Sequence, residues 1–188
     1  MILHSIAMGR KRILDCKALV YTIGGLFLLA QELGNRRLYE RYRKVYRLDR
    51  SFSFNGNGIK IYGGGRVVAG PGGYISQHSV LEAHRDCTIR IGRNCSIGDF
   101  VRISTSNRFP DQDFSREPHS IRTGNVTIGD YCWIGTHVYI KEGVTIGENS
   151  IIGANSVVTK DIPPFSIAAG APCRVLRKKN LGRRALKP

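Results

Sequence analysis

The sequence predicts a β-solenoid, and the spacing of its aliphatic residues and glycines supports this fold class. An isoleucine or valine returns every sixth residue, from Ile91 to Ile103 and again from Ile128 to Val158. Glycine follows most of these positions, where a tight turn needs unusual backbone angles or close approach. A period of six fits neither a helix nor a plain alternating strand. Each hexad therefore indicates one short strand and one turn, with the aliphatic side chain pointing into a narrow prism.

The regular repeat is long enough to exclude chance spacing. Six consecutive hexads run in register from Ile128 to Pro163. Cys95 and Cys132 each stand two residues before a hexad isoleucine, so we expect both to be small core residues. The chain has five cysteines, an odd number, and no CxxC pair, which favours a reduced, cytoplasmic setting.

Residues 1–50 lack the six-residue period and are predicted to form a basic, helical N-terminal extension. Arg10–Leu48 is typical of one or two helices, and Gly24-Gly25 is expected to mark a kink or turn. The apolar segment Ala18–Ala30 is too short to span a bilayer, which needs about 20 helical residues. Two interpretations stay open: a helix packed on the solenoid or on another subunit, and a helix lying in a membrane surface.

We expect the solenoid domain to occupy residues 51–178 and a basic tail to occupy 179–188. Residues 51–90 enter the solenoid with imperfect coils, and regular hexads begin at Ile91. From Ile103 to Ile128 the chain uses 25 residues where one hexad needs six, so about 19 are inserted. A loop that long in a compact repeat, here 104–124, is expected to be functional.

The net charge is strongly positive. The chain carries 29 Lys and Arg against 14 Asp and Glu, a formal charge of +15. Such a balance favours an anionic partner, such as a nucleotide cofactor or a membrane surface. No nucleic-acid recognition motif accompanies the charge, so nucleic acid is not the expected partner.

The repeat, together with the run from Trp133 to Val175, resembles the hexapeptide-repeat acyltransferases, which form a left-handed parallel β-helix. It is most similar to their galactoside, maltose and xenobiotic O-acetyltransferase branch, over roughly residues 59–178. The resemblance implies a homotrimer that uses acetyl-CoA as co-substrate and holds no metal. It also implies that the inserted loop reaches over a cleft between subunits and helps to form the active site.

Acetyl transfer needs a base for the acceptor's proton, a donor for the oxyanion and a groove for CoA. The groove positions of the family match this chain well. Aligned without gaps, they are Trp133, Thr136, Ala154, Thr159, Lys160, Arg174 and Arg177. The basic residues among them suit phosphate groups.

The catalytic base of the family has no counterpart at the matching position of this chain. The family's catalytic histidine falls where this chain has Asn107-Arg108, and neither side chain can accept a proton at neutral pH. Three other histidines are candidates: His84, His78 and His119, in that order of preference. His137 lies in a regular hexad and is expected to be structural.

Two acidic residues are candidates for binding the acceptor. Asp86 aligns with the family's acceptor-binding aspartate, and His84 stands two residues before it. Asp113 lies in the inserted loop, where it could bind sugar hydroxyls or orient a histidine, or only form a turn.

The sequence therefore predicts an acetyl-CoA-dependent acyltransferase acting on a sugar hydroxyl or amine. The basic N-terminus suggests surface polysaccharide or glycolipid assembly at the inner membrane face. The rival prediction is a catalytically degenerate CoA-binding or scaffold protein, because the family's histidine is missing. A γ-class carbonic anhydrase would need three converging zinc-binding histidines, which this spacing does not resemble. A nucleotidyltransferase would need a large α/β domain before the β-helix.

Overall fold

A computed structural model describes residues 2–181 of the chain, without the side chains of residues 2–21 and 23. The chain divides into two units, Met1–Glu40 and Arg41–Pro188. The predicted boundary of the extension at residue 50 stays a prediction. Part of the basic tail predicted at 179–188 lies outside the described residues.

The first unit consists of most of one helix, α1 (Ile2–Val45). The sequence predicted either one helix or two in this region, and the structure has one. No turn interrupts it at Gly24-Gly25, so the expectation of a turn there is wrong. Leu26, Phe27 and Leu28 are each more than 60% exposed within this unit. Among the described residues, no helix offers an apolar stretch long enough to cross a membrane.

The second unit is built from short strands joined by tight turns. In chain order they are β1 (Arg47–Leu48), β2 (Ser53–Asn55), β3 (Lys60–Tyr62), β4 (Arg66–Ala69), β5 (Tyr74–Ser76), β6 (Val80–Glu82), β7 (Thr88–Ile91), β8 (Ser96–Ile97), β9 (Arg102–Ser104), β10 (Ser106–Arg108), β11 (Ile121–Thr123), β12 (Val126–Ile128), β13 (Trp133–Ile134), β14 (Tyr139–Ile140), β15 (Thr145–Ile146), β16 (Ile151–Ile152), β17 (Val157–Val158), β18 (Ser166–Gly170) and β19 (Cys173–Lys178).

These strands stack into three faces of a parallel solenoid, and the predicted fold class is confirmed. Face A has the order β1-β4-β7-β12-β15, and face C has the order β17-β14-β9-β6-β3. Face B has the order β19-β18-β16-β13-β8-β5-β2 and ends in the antiparallel pair β18–β19. Successive strands of the chain pass from face A to B to C, so each circuit of three strands makes one coil.

The hexad aliphatic residues form the core because the register places each above the next. On face C, for example, Ile103 pairs with Ile140, and Ile140 pairs with Val158. All three are fully buried. Cys95 and Cys132 are also buried, as the sequence predicted. Each coil therefore contributes one aliphatic side chain per face to a continuous, narrow core.

Three corners join the faces, and they position the chemistry. We call them the AB, BC and CA corners after the faces that they connect. At the BC corner the turn residues take left-handed backbone angles, with φ of 56–57° at His78, Phe100, His137 and Asn155. At the CA corner, the turn after β9 is replaced by the inserted segment.

The N-terminal end of the solenoid is closed by residues that follow the first unit. The Tyr42 hydroxyl accepts a hydrogen bond of 3.1 Å from the Ile61 amide. Arg43 donates to the Asp49 carbonyl at 2.9 Å and lies over the Phe54 ring. These contacts cover the backbone at the edge of the first coil, which would otherwise be open to pairing with another chain.

Candidate functional site

The inserted residues form an antiparallel hairpin at the CA corner. Its strands, β10 and β11, pair with Asn107 opposite Arg122. Where the hairpin returns to the coil, the Gly124 amide donates a hydrogen bond of 3.0 Å to the Thr105 carbonyl. The two ends of the insertion thus meet, and the coils before and after it keep their regular stacking.

A cavity of about 280 Å³ lies between this hairpin and the following coil. We call it the hairpin pocket. Its lining residues are Asn107, Arg108, Pro110, Arg122, Tyr139, Lys141 and Glu142. Four of them come from the hairpin and three from the coil that follows, so the insertion itself creates the pocket.

The pocket contains a buried carboxylate. Glu142 is 7% exposed as a residue, and its Oε1 lies 3.0 Å from the Lys141 ammonium nitrogen. The Asn107 side-chain amide donates to the other oxygen, Oε2, and also to the Tyr139 hydroxyl at 2.9 Å. A buried charge is tolerated when it is paired and hydrogen-bonded, and both conditions hold for Glu142.

The remaining charges of the pocket are positive. Arg108 and Arg122 both line it, and neither forms an ion pair within the described part of the chain. The Arg122 guanidinium lies 4.9 Å from the centre of the Phe109 ring. Because Lys141 balances Glu142, the two arginines leave the pocket with an excess positive charge.

Asn107 and Arg108 stand where the resemblance places a catalytic histidine, and their geometry offers no substitute base. The Asn107 amide is occupied by Tyr139 and Glu142. Arg108 keeps its proton under all ordinary conditions. If this corner performs proton transfer, the base must come from another residue.

His84 lies on the same CA corner, in the turn after β6, one coil before the hairpin. Its amide donates a hydrogen bond of 2.7 Å to the Thr105 hydroxyl, at the base of the insertion. Its ring Nδ1 lies 2.9 Å from the Arg85 carbonyl oxygen. Since a carbonyl only accepts, this contact assigns the proton to Nδ1 and leaves Nε2 of the neutral ring as a proton acceptor. Asp86 follows in the same turn and is exposed.

His78 and His137 lie at the opposite edge of face C, at the BC corner. Their rings stack on the two sides of Phe100, with centroid distances of 5.0 Å and 4.7 Å. This stacking is consistent with a structural role for His137, which stays a prediction. It also places His78 away from the CA corner of its own chain.

His119 and Asp113 lie inside the hairpin loop and contact neighbours there, although the buried His119 Nδ1 makes no hydrogen bond within the described part of the chain. The His119 Nε2 donates to the Phe114 carbonyl at 3.1 Å, and its Nδ1 lies 2.8 Å from a Glu117 carboxylate oxygen. Asp113 accepts hydrogen bonds from the hydroxyl and amide of Ser115, which hold its pKa below the usual value. Neither residue lines the hairpin pocket.

The residues predicted to contact CoA fall at two separate edges of face C and on face B. Thr136 and Ala154 lie at the BC corner, and Trp133 is 57% exposed on β13 of face B. Thr159 and Lys160 lie at the CA corner. The Lys141 amide donates a hydrogen bond of 3.0 Å to the Val158 carbonyl. The Thr159-Lys160 turn therefore lies directly on the coil that carries Glu142.

Two more of these positions, Arg174 and Arg177, are on β19 at the C-terminal end of the solenoid. Both side chains are exposed, and each guanidinium donates to a backbone carbonyl of its own strand. The structure therefore brings Thr159 and Lys160 beside the hairpin pocket and leaves the rest of the predicted set elsewhere on the solenoid.

Sequence reasoning missed several residues of the pocket. Glu142 and Tyr139 sit inside a regular hexad, where nothing local marks them as functional. Arg122 was part of the insertion but had no assigned role. The one available signal was the position of Glu142 at a hexad turn of the CA corner, one coil beyond an insertion at that corner.

A parallel solenoid interrupted at one corner by a pocket-forming hairpin defines a class of transferases with hexapeptide repeats. The family described as bacterial transferase hexapeptide (six repeats) matches residues 125–160. The maltose O-acetyltransferase of Clostridium difficile 630 has a solved structure that is 32% identical, with 76% of this chain and 74% of that one covered and a TM-score of 0.64. The chain belongs to this family of hexapeptide-repeat acetyltransferases.

Two further relatives give the range of the family. A hexapeptide-repeat acetyltransferase of Vibrio cholerae, solved with acetyl-coenzyme A, is 27% identical over 77% of each chain, with a TM-score of 0.63. The galactoside O-acetyltransferase of Escherichia coli K12 is 48% identical over 95 residues. That match spans 50% of this chain and 46% of the relative, so it covers only about half the length of that curated protein.

Proposed function

We propose that this protein transfers the acetyl group of acetyl-CoA to a hydroxyl or amine of a sugar-containing acceptor. One observation carries the proposal: His84, the hairpin pocket and Thr159-Lys160 occupy successive coils of a single corner. Neighbouring strands of a sheet lie about 4.8 Å apart, so these groups span roughly 15 Å. That length accommodates a donor thioester beside a sugar.

The donor is acetyl-CoA in this proposal, because a relative is solved with that molecule bound. The Lys160, Arg174 and Arg177 side chains would meet its phosphates, and Trp133 would offer an exposed ring for contact. Thr136, Ala154 and Thr159 would line the rest of the groove. The proposal assigns no step to a metal.

His84 is the proposed base. Its Nε2 would take the proton of the acceptor hydroxyl or amine while that oxygen or nitrogen attacks the thioester carbonyl carbon. The carbon–sulfur bond then breaks, the acetyl group stays on the acceptor, and CoA leaves as the thiol after taking up a proton. Asp86 would contact the acceptor from the same turn. His78, His119 and Asp113 remain candidates that the sequence proposed, and their variants belong in the same experiment.

A homotrimer is part of the proposal because the predicted CoA contacts fall at opposite edges of face C. A single ligand touching both Thr136 and Lys160 would have to cross that face. Alternatively, the BC corner of one copy could face the CA corner of the next, so that each cleft takes one edge from each copy. In a closed ring of three copies, this contact between corners gives three equivalent sites.

We propose a cytoplasmic location at the inner membrane face, with an acceptor from surface polysaccharide or glycolipid assembly. The exposed apolar residues Leu26–Leu29 and the basic residues that follow them in α1 support membrane contact. Co-sedimentation with vesicles of 30% phosphatidylserine would test it. Binding at low salt that disappears at high salt is expected, and no binding at low salt would contradict it.

The first experiment is isothermal titration of the full chain with acetyl-CoA and with CoA, beside a mass measurement of the oligomer. We expect micromolar binding at one site per chain in a trimer. Lys160→Gln should weaken binding, and Lys60→Gln, on the same face but at the far end of the solenoid, should not. A folded trimer that binds neither molecule would contradict the proposal.

A non-catalytic role is the second candidate, favoured by Asn107-Arg108 at the histidine position. Such a protein would bind CoA and acetylate nothing. An acceptor screen with mass-spectrometric detection separates the two candidates. Activity that a single histidine replacement abolishes would exclude the non-catalytic role.

A further inference from the structure

We propose that the hairpin pocket binds an anionic group of the acceptor, a carboxylate or phosphate carried by a sugar. This inference rests on the proposed function, because it assigns the acceptor of the acetyl transfer. It goes further by giving the acceptor a charge, which the galactoside and the maltose in the names of two relatives lack and the polysialic acid in the name of a third has.

The charges that line the pocket are mostly positive. Arg108, Arg122 and Lys141 face one carboxylate, Glu142. Lys141 lies 3.0 Å from Glu142 and balances it. In the described part of the chain, the two arginines find no carboxylate of their own. A pocket with two uncompensated guanidinium groups attracts an anion.

Arginine also has the appropriate geometry for this ligand. Its planar guanidinium binds the two oxygens of a carboxylate or phosphate through parallel hydrogen bonds. The Arg122 guanidinium lies over the Phe109 ring, which limits the directions in which it can point. Because Asn107 is directly opposite Arg122 in the hairpin, the two side chains emerge on the same side. Arg122 therefore emerges on the side that carries the Asn107–Glu142 contact.

The buried Glu142 does not oppose an anion here. Both of its oxygens are engaged, one by Lys141 and one by the Asn107 amide. These contacts also hold the coil and the hairpin together, which fixes the two walls of the pocket. The negative charge of Glu142 is thus screened by Lys141 and Asn107.

Size and position agree with a single sugar residue. The volume of about 280 Å³ is at the small end of the range for ligand pockets. The pocket lies between His84, one coil before, and Thr159-Lys160, one coil after. A sugar anchored there by its charged group would hold its hydroxyls between the proposed base and the proposed donor site.

The test compares three sugars that differ in one group: galactose, galacturonic acid and galactose 6-phosphate. Each is titrated into the full chain without nucleotide, by isothermal calorimetry at low salt. We expect at least one of the acidic sugars to bind at least tenfold more tightly than galactose. A preference for the uronic acid or for the phosphate identifies which anion the pocket accepts.

Variants then locate the binding. Arg122→Gln should lower the ratio of the affinities for the acidic sugar and for galactose at least tenfold. Arg108→Gln should lower this ratio by a smaller factor. Arg90→Gln, on face A, makes the same charge change away from the pocket and should leave the preference intact. Circular dichroism of each variant shows whether the solenoid remains folded.

Several outcomes would overturn the inference. They are equal binding of all three sugars, no binding of any, and an equal loss in Arg90→Gln. Competition between CoA and the acidic sugar would also overturn it, because the pocket would then hold a CoA phosphate. The proposed function fails separately, if acetyl-CoA itself does not bind.

Discussion

The two corners that bound face C are built from the same repeat but differ in what they hold. At the BC corner, His78, Phe100 and His137 form a column of stacked rings, one from each coil. At the CA corner, the turn after β9 expands into a hairpin, and a buried carboxylate lies beneath it. At the BC corner, each ring packs against the ring of the neighbouring coil. The CA corner leaves a cavity and unpaired cations.

The comparison indicates where a ligand pocket can form in a solenoid. A turn that repeats in every coil packs against copies of itself and forms no enclosed pocket at the BC corner. A departure from the repeat in one coil exposes the turns of the coils before and after it. Here those neighbouring turns carry His84 on one side and Lys141-Glu142 on the other.

The strongest effect on activity is expected when a histidine of the CA corner is replaced, compared with replacement of a histidine of the BC corner. His84→Gln should lower kcat/KM for acetyl transfer by about 100-fold or more, which is the usual contribution of a general base. His137→Gln, at the BC corner, should leave kcat/KM nearly unchanged. A His84→Gln enzyme with full activity would exclude His84 as the base.

The next effect concerns the carboxylate under the hairpin. Glu142→Ala leaves the Asn107 amide and Lys141 without their partner, so we expect unfolding to become easier by about 1–3 kcal/mol. Glu148→Ala, an exposed residue at the AB corner, is the matched control and should change little. Urea denaturation measures both. Equal stabilities of the two variants would show that the Glu142 contacts contribute nothing to the fold.

Breaking the stacked column at the BC corner should cost less. Phe100→Ala removes both ring contacts, and each aromatic pair contributes about 1 kcal/mol. The ring is 45% exposed, so the lost burial adds little. We expect a lower Tm with unchanged acetyl-CoA binding, measured by calorimetry. A loss of binding instead would assign the column to the site.

The smallest effect lies at the AB corner, where Arg93 and Asp130 pair at 2.7 Å on the surface. Hydrogen bonds from the Arg93 side chain and amide hold the pKa of Asp130 below its usual value. The pair therefore stabilises the fold above the ordinary pKa of an aspartate, near 3.9, and that contribution disappears as the pH falls through the lowered pKa.

Thermal melts of the wild type and Asp130→Asn at pH 7 and pH 2 measure this contribution. We expect a small difference at pH 7, because exposed ion pairs are weak, and a smaller one at pH 2. A difference in Tm that grows as the pH falls would contradict the expected direction of the pH dependence.

The coils could be predicted because the signal is local. A buried isoleucine such as Ile134 recurs at a fixed distance from the next, and the register of the faces follows from that distance alone. The same logic correctly placed Cys95 and Cys132 in the core. Local pattern was less informative in the N-terminal helix, where two glycines were expected to mark a kink or turn and the helix continues through them without a turn.

The pocket could not be predicted because its parts are brought together by packing. Glu142 is charged and occupies an ordinary turn position, and it is buried only because Asn107, 35 residues earlier, folds over it. The resemblance places the family's histidine at Asn107-Arg108 and gives no reason to connect Asn107 with Glu142. The route of an inserted hairpin depends on such contacts, which no periodic pattern encodes.

The single hydrogen bond from Gly124 to Thr105, at the base of the hairpin, has a consequence for how this protein can change. Because both ends of the insertion are fixed at one place, its length is independent of the coils. Doubling such a loop adds only about 0.6 kcal/mol of closure entropy. Hairpins of different length and sequence can therefore be exchanged at Thr105 and Gly124, which makes this corner a natural point for altering acceptor choice by loop grafting.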